Sequence, residues 1–336
     1  KTTIMIHLLN DLKREFRPTA YFNLDIIEDR QFFISQHALL NRINFLLGSK
    51  RGVIFIDEIQ RLENAGLFLK GLYDLESGHK FIVSGSGSLE LKANVIEPMT
   101  GRKQTFFCLP LSFSEFAAYK LKIPTEQVSL SLEQNPFEQK RLEEEYFTYG
   151  GYPKVVLSET HAARVQTLTE IYQSYLEKDI QLLLGVEKDQ SFSVLVKVIA
   201  SQIGQLVNRA ELSSTLGLSQ KTVEKYIYLL EKTFVITTIK PFFTNVRKEV
   251  RKSPKVYFND LGFLNLAQGR LPETPESVSG HAFENACFLR LGELKSLEPI
   301  RYWRSTSGAE VDFVLTSPRH GGPVPVEVKL SPGKIG

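Results

Sequence analysis

Residues 52–58, Gly52-Val53-Ile54-Phe55-Ile56-Asp57-Glu58, narrow the folds open to this chain more than any other stretch. Four consecutive β-branched and aromatic residues without polar alternation read as a strand buried on both faces, the usual state of a parallel sheet covered by helices. The run stops in two adjacent acids. Two further segments fit the same sheet: Thr19 to Leu24 before Asp25, and Phe81-Ile82-Val83 before Ser84-Gly85-Ser86. Strands alternating with helices predict an α/β fold with its ligand at the carboxyl ends of the strands.

The chain has 336 residues, enough for two or three folded units with a substantial interior. Its 42% hydrophobic and 24% charged content is ordinary for a globular protein. No apolar run approaches the roughly 18 to 20 residues of a membrane span, so the reading is a soluble, cytoplasmic protein without a membrane partner. Cys108 and Cys287 lie far apart without metal-ligand or redox spacing, which fits a reducing compartment and plain thiols. A net charge of +3 does not announce nucleic-acid binding, so that case depends on where the basic residues sit. The first residue is Lys1 rather than Met, and Gly336 follows directly on an expected strand, so both ends read as cut.

Lys1-Thr2-Thr3 runs into Ile4, Ile6, Leu8, Leu9 and Leu12, a spacing that predicts a helix with one buried side, ending near Arg17-Pro18. This is the end of a Walker A motif, whose glycines lie outside the sequence. In a complete P-loop the lysine meets the β/γ oxygens of ATP and the next hydroxyl ligates Mg2+, roles that fall to Lys1 and Thr2. The acids of Asp57-Glu58 then form a Walker B pattern. Asp57 holds the magnesium shell, and Glu58 polarises the attacking water. Ser84 and Ser86 stand where a sensor hydroxyl feels the γ-phosphate, or else form a small-residue turn. Arg102 stands where an arginine stabilises transition-state charge in its own or a neighbouring subunit, or else is a surface arginine.

The run Phe55-Ile56-Asp57-Glu58-Ile59-Gln60, then Val83 to Ser86, Gly101-Arg102, Leu109-Pro110-Leu111-Ser112-Phe113-Ser114-Glu115-Phe116 and Gly150-Gly151-Tyr152-Pro153 resembles a large prokaryotic family of AAA-type P-loop ATPases with a C-terminal domain of unknown function. The motifs occur in that order and with similar spacing over essentially the whole chain. The resemblance implies ATP binding through Lys1, Thr2, Asp57 and Glu58, and names an engine rather than a task. In that family Leu176-Glu177-Lys178-Asp179-Ile180, on a helix expected over 162–184, marks the start of the C-terminal module.

From Val207 onward the pattern is that of a helix-turn-helix. Asn208 caps a short helix, Gly217 makes the turn, and Ser219 caps a second helix through Val223, Tyr226, Ile227 and Leu230. Phe234 to Ile239 reads as a strand. Phe242 to Tyr257 reads as a hairpin carrying Arg247, Lys248, Arg251, Lys252 and Lys255. A winged helix would put the second helix in a groove of double-stranded DNA and the basic hairpin on phosphates; winged helices also serve as protein contacts.

Phe283-Glu284 on a helix, Glu310 to Leu315 on a strand and Val324 to Lys329 on another carry a third constellation. Glu327 and Lys329, two apart, share a face of their expected strand. Glu284, Asp312, Glu327 and Lys329 resemble a restriction-endonuclease-like PD-(D/E)xK core, in which acids hold magnesium and the lysine helps activate water; Val311 stands in place of the proline. Such domains also persist as inert scaffolds. The expected organisation is a P-loop parallel-sheet AAA core over 1–120, a helical lid or linker over 121–195, a winged helix over 196–262 and a truncated nuclease-like α/β domain over 263–336. The expected function is an ATP-driven switch coupled to a DNA-handling module, with Arg102 in use if the chain forms a homo-oligomer. The alternative is a nucleotide-dependent protein that docks another protein and whose nuclease-like acids are inert.

Overall fold

The first part of the chain runs α1 (Thr2–Arg14), β1 (Thr19–Asn23), α2 (Gln36–Leu47), β2 (Val53–Asp57), α3 (Ala65–Asp74) and β3 (Lys80–Val83). Its strands form a parallel sheet in the order β1-β2-β3, with Tyr21 beside Phe55 and Asn23 beside Asp57. The computed structural model describes residues 1–48, 50–85, 99–175, 190–242, 253–271, 279–294, 299–305, 307–317 and 320–330. It divides into two units, Lys1–Cys108 and Leu109–Gly336.

The central strand is buried because both of its faces are covered. Ile54 and Ile56 point into a core with Phe22, Leu39, Ile43 and Leu72. Phe55, one residue out of phase, points the other way onto Met5 and Leu9 of α1. The buried side of α1 is therefore the stripe Met5, Leu9 and Leu12, spaced as one helical face. This corrects the expected set, since Ile4, Ile6 and Leu8 are exposed and the helix ends at Arg14. Ser35 caps α2 by accepting from the Ala38 N–H, and Gly48 closes it in the left-handed region.

The second unit opens with helices α4 (Phe113–Leu121), α5 (Pro136–Tyr149), α6 (His161–Ser174) and α7 (Gln190–Ser201). The helix expected over 162–184 is α6 as far as Ser174; residues 176–189 lie outside the described residues. Next come α8 (Arg209–Leu216), α9 (Gln220–Lys232) and an antiparallel ribbon of β4 (Ile236–Ile239) and β5 (Lys255–Phe258). The Asn208 carboxamide accepts from the N–H groups of Ala210 and Glu211, Gly217 takes φ 64°, and Ser219 accepts from the Thr222 N–H. The unit closes with α10 (Leu261–Ala267), α11 (Gly280–Gly292) and the meander β6 (Arg301–Arg304), β7 (Glu310–Ser317) and β8 (His320–Val326). Tyr257 of β5 lies in one core with Phe288 of α11 and Phe313 of β7, its ring stacked 4.6 Å from that of Phe288. The ribbon and the C-terminal sheet thus share their interior, across the boundary expected at 262/263.

Strand β8 stops at Val326, so Glu327 and Lys329 follow the strand instead of riding on it. The Val328 N–H is given to the Asp312 carboxylate at 2.8 Å, which takes it out of any backbone ladder.

The Gly-Gly-Tyr-Pro stretch is explained by Asp260. This buried carboxylate caps α10 by accepting from the Phe263 N–H at 2.8 Å, and also accepts from the Gly151 N–H at 2.7 Å. A Cβ on Gly151 would stand 2.0 Å from the Leu111 carbonyl oxygen, so only glycine lets these backbones meet. Burial pushes the Asp260 carboxyl up to about 6, against the pull of the Phe263, Gly151, Gly262 and Tyr152 N–H groups. A carboxyl whose folded pKa lies above its unfolded value is easier to ionise in the unfolded chain. Its ionisation therefore opposes folding as pH rises from about 4 to about 6, by up to roughly 3 kcal/mol. Urea midpoints taken between pH 4 and 7 are expected to fall more steeply with rising pH in the native chain than in Asp260→Asn. Asp260→Ala, which also orphans the Gly151 and Phe263 N–H groups, is expected to lose about 2 to 4 kcal/mol at neutral pH.

Candidate functional site

The carboxyl end of the parallel sheet gathers Lys1, Thr2, Tyr21, Asp57, Glu58, Gln60 and Ser84. Asp57, the last residue of β2, is 0% exposed. One of its oxygens accepts from the Tyr21 hydroxyl at 2.9 Å; the other accepts from the Glu58 N–H at 3.1 Å and from the Ser84 hydroxyl. Thr2 supplies a further side-chain hydrogen bond. Burial opposes ionisation here, but the bonds from Ser84, Thr2, Tyr21 and the Glu58 N–H outweigh it and hold the carboxyl below its ordinary value. Every one of these donors is neutral, and among the described residues no lysine or arginine lies within ion-pair distance of Asp57. The result is a fixed negative charge with hard oxygen donors around it, a setting that fits a magnesium ion held by Asp57 and the Thr2 hydroxyl.

Lys1 stands at the same edge, its ammonium donating to the Gly85 carbonyl just past β3 at 2.6 Å. Glu58 sits in the left-handed region, φ 56° and ψ 40°, which no glycine relieves. Its carboxylate is held by the Gln60 side-chain amide. Arg102 is engaged elsewhere: its guanidinium pairs with Asp74 at 3.5 Å and lies over the Tyr73 ring at 5.7 Å. Ser86 lies outside the described residues. Tyr21 and Gln60 were not singled out from sequence. The signal for Tyr21 was its alternation with Ala20 and Phe22, which turns it away from their core.

The acids of the C-terminal part form a second, different cluster. Glu284 on α11, Glu310 and Asp312 on β7 all face the ammonium of Lys255, at 3.3, 2.5 and 3.6 Å. Lys255 is 2% exposed, which corrects its expected place among the phosphate-binding residues of the hairpin. Burial works against its charge, yet Glu310, Glu284 and Asp312 raise its pKa above the ordinary lysine value. The Tyr257 hydroxyl donates to Glu284 at 2.6 Å. Gly204, at φ 70°, leaves room that a Cβ 2.9 Å from the Glu284 carboxylate would fill. Glu327 and Lys329 pair with each other at 2.5 Å, both more than half exposed, and do not join Glu284. Arg247, Lys248, Arg251 and Lys252 lie outside the described residues. The missed signal for Lys255 was its company, a lysine heading the apolar triplet Val256-Tyr257-Phe258.

Residues 1–117 match the AAA domain family, residues 140–274 a domain of unknown function (DUF8612), and residues 279–334 a second one (DUF4143). An uncharacterized protein of Mycobacterium tuberculosis is 24% identical over 287 residues, covering 84% of this chain and 60% of its own length. One from Haemophilus influenzae is 27% identical over 224 residues, 64% of this chain and 52% of its own. One from Methanocaldococcus jannaschii is 21% identical over 326 residues, 94% of this chain and 69% of its own. The chain thus spans about 60% or less of the mycobacterial and Haemophilus relatives. The AAA match assigns a nucleotide-binding, ATPase-like domain to the unit that contains Asp57. Among the described residues no helix is long and apolar enough to cross a membrane.

Removing a single donor and removing a central cation are expected to differ widely in cost. Tyr21→Phe takes one hydroxyl from Asp57 and is expected to lose about 1 to 2 kcal/mol. Lys255→Met leaves three carboxylates facing one another and is expected to lose about 3 to 5 kcal/mol. Urea unfolding at neutral pH, followed separately for the two units by local fluorescence, checks both.

Proposed function

We propose that this chain, whose AAA domain and C-terminal domain of unknown function give it the architecture of an AAA-type ATPase, binds and hydrolyses Mg-ATP at the carboxyl end of its parallel sheet and uses the cycle to drive a nucleic-acid-handling module. The observation that carries the reading is Asp57, buried and ionised, met among the described residues by neutral donors that include the Thr2 hydroxyl, with the Lys1 ammonium held at Gly85 just past β3.

On this reading Lys1 exchanges the Gly85 carbonyl for the β/γ oxygens of ATP. Magnesium, when bound through Thr2 and Asp57, neutralises charge on the phosphate oxygens. Glu58 orients a water in line with the γ-phosphorus. The new P–O bond forms as the bond to the β-phosphate oxygen breaks, ADP leaves with that electron pair, and the proton of the water passes through Glu58 to solvent. Gln60 holds the Glu58 carboxylate and so sets where that water is activated. Ser84, bonded to Asp57 at the end of β3, occupies the sensor position, and Ser86 is assigned beside it from sequence. Arg102, exposed on Asp74, serves a neighbouring subunit if the chain assembles.

The output is assigned to α8 and α9. Lys221, Lys225 and Tyr228 share the exposed face of α9, as a groove-reading helix requires. Arg247, Lys248, Arg251 and Lys252, in the connection between β4 and β5, supply phosphate contacts. The second reading, a nucleotide-dependent protein that docks another protein and whose nuclease-like acids are inert, is favoured by one observation: the acids are already occupied by Lys255.

Mg-ATP hydrolysis by the full-length protein, with and without double-stranded DNA, tests the proposal. Glu58→Gln is expected to lower kcat by roughly 100-fold or more, and DNA is expected to raise the native rate. Replacing Arg247, Lys248, Arg251 and Lys252 by Ala is expected to abolish the DNA response while basal hydrolysis persists. Indifference of the native rate to DNA would favour the docking reading; absence of hydrolysis would sink the engine. Gln60→Ala is expected to change kcat severalfold with KM for ATP nearly constant, because Gln60 holds the Glu58 carboxylate, the group assigned to the attacking water.

A further inference from the structure

The nuclease resemblance assigns Glu284 and Asp312 to a divalent cation, and the residues present do not fit one. An ammonium has three N–H donors, and those of Lys255 face three carboxylates: Glu310 at 2.5 Å, Glu284 at 3.3 Å and Asp312 at 3.6 Å. The lysine is held in place by its strand, since Val256, Tyr257 and Phe258 are all buried beside it. The same carboxylates have further partners. Tyr257 donates at 2.6 Å to the Glu284 oxygen that Lys255 faces, and the Val328 N–H donates to the second Asp312 oxygen at 2.8 Å. Arg304 stands 3.6 Å from the second Glu310 oxygen, and His281 3.6 Å from the second Glu284 oxygen.

A magnesium ion demands near-octahedral oxygens at about 2.0 to 2.1 Å and keeps several of its waters. It would have to displace an ammonium that has nowhere to swing, or sit against it at the cost of like-charge repulsion. The other pair of the expected set does not offer a seat either, because Glu327 and Lys329 neutralise each other in solvent. Among the described residues no group of three or more His, Cys, Asp or Glu side chains is placed to hold a metal. Nor does Lys255 suit the role of an activating lysine: it is 2% exposed with its donors engaged, so neither water nor a phosphodiester reaches it.

We propose that Lys255 is the resident cation of this cluster, standing where the resemblance would put a metal ion, and that the C-terminal module consequently takes up no divalent cation and is a metal-free scaffold. The ammonium ties β5 to α11 and β7, alongside the shared core of Tyr257, Phe288 and Phe313. The inference is independent of hydrolysis in residues 1–108, and its test uses neither ATP nor DNA.

Manganese stands in for magnesium because the electron paramagnetic resonance signal of free Mn2+ falls as the ion is bound. The full chain is used with Asp57→Asn, which removes the carboxylate seat of the first unit. With Lys255 in place, the free-ion signal is expected to remain undiminished at neutral pH. Lys255→Met together with Glu310→Gln removes one positive and one negative charge and leaves Glu284 and Asp312 without their ammonium. That chain, checked for folding by circular dichroism, is expected to bind Mn2+ at least about tenfold more tightly than its parent, and to lose the gain on adding Asp312→Asn. Uptake of Mn2+ by the chain that retains Lys255, abolished by Asp312→Asn, would overturn the proposal, and this arm decides the matter even if the charge-paired variant does not fold. A folded charge-paired variant that leaves the signal unchanged would overturn it equally.

Discussion

A carboxylate withdrawn from water has to be met by hydrogen-bond donors or by a cation, and this chain meets that requirement in three ways. Asp57 is surrounded by hydroxyls and one N–H, which stabilise its charge without cancelling it. Asp260 is met by backbone N–H groups, and in accepting them it fixes the start of α10 and the glycine turn at residues 150–151. Glu284, with Glu310 and Asp312, is met by a full positive charge on Lys255. The elements around each carboxylate are arranged to deliver those partners, and the capacity of each site for further chemistry follows from which partner it has.

In the first arrangement no cation stands beside the acid, whereas in the third an ammonium already stands among the acids. That distinction separates the site proposed for magnesium and phosphate from one that already holds a cation. It also underlies the proposal that the C-terminal module is a metal-free scaffold, although four of its acidic and basic residues stand in the order of a nuclease core. Order along the chain brings Glu284 and Asp312 to neighbouring elements, but the content of the space between them is set by β5, a strand from the preceding segment. The ribbon and the C-terminal meander are therefore tied by both an ammonium and an aromatic core.

Much of the local structure was legible in the sequence because it depends on neighbours a few residues apart. The caps at Asn208 and Ser219, the left-handed turn at Gly217 and the buried face Val223, Tyr226, Ile227 and Leu230 need only helical periodicity and short polar side chains. The parallel strands around Val53–Asp57 were legible for the same reason, as an apolar run too short for a helix. The helix α1 was less so. Ile4, Ile6 and Leu8 are as apolar as Met5 and Leu9, and periodicity alone does not say which stripe meets Phe55. Lys255 was misplaced because a lysine among basic neighbours reads as a solvated charge unless its partners, 29 to 57 residues away, are known.

By itself the sequence determined the α/β character of the first unit, the place of Lys1, Thr2, Asp57 and Glu58 at one end of its sheet, and the helix-turn-helix, since each rests on spacing within a single element or between adjacent ones. Tertiary structure decided the fate of the charges. Tyr21 and Gln60 act on Asp57 and Glu58 only because strand register and a left-handed backbone bring them there. Lys255 closes the C-terminal cluster only because β5, α11 and β7 pack on one core. Electrostatic interaction in a low-dielectric interior depends on distance through space, and the order of residues along the chain does not carry that distance.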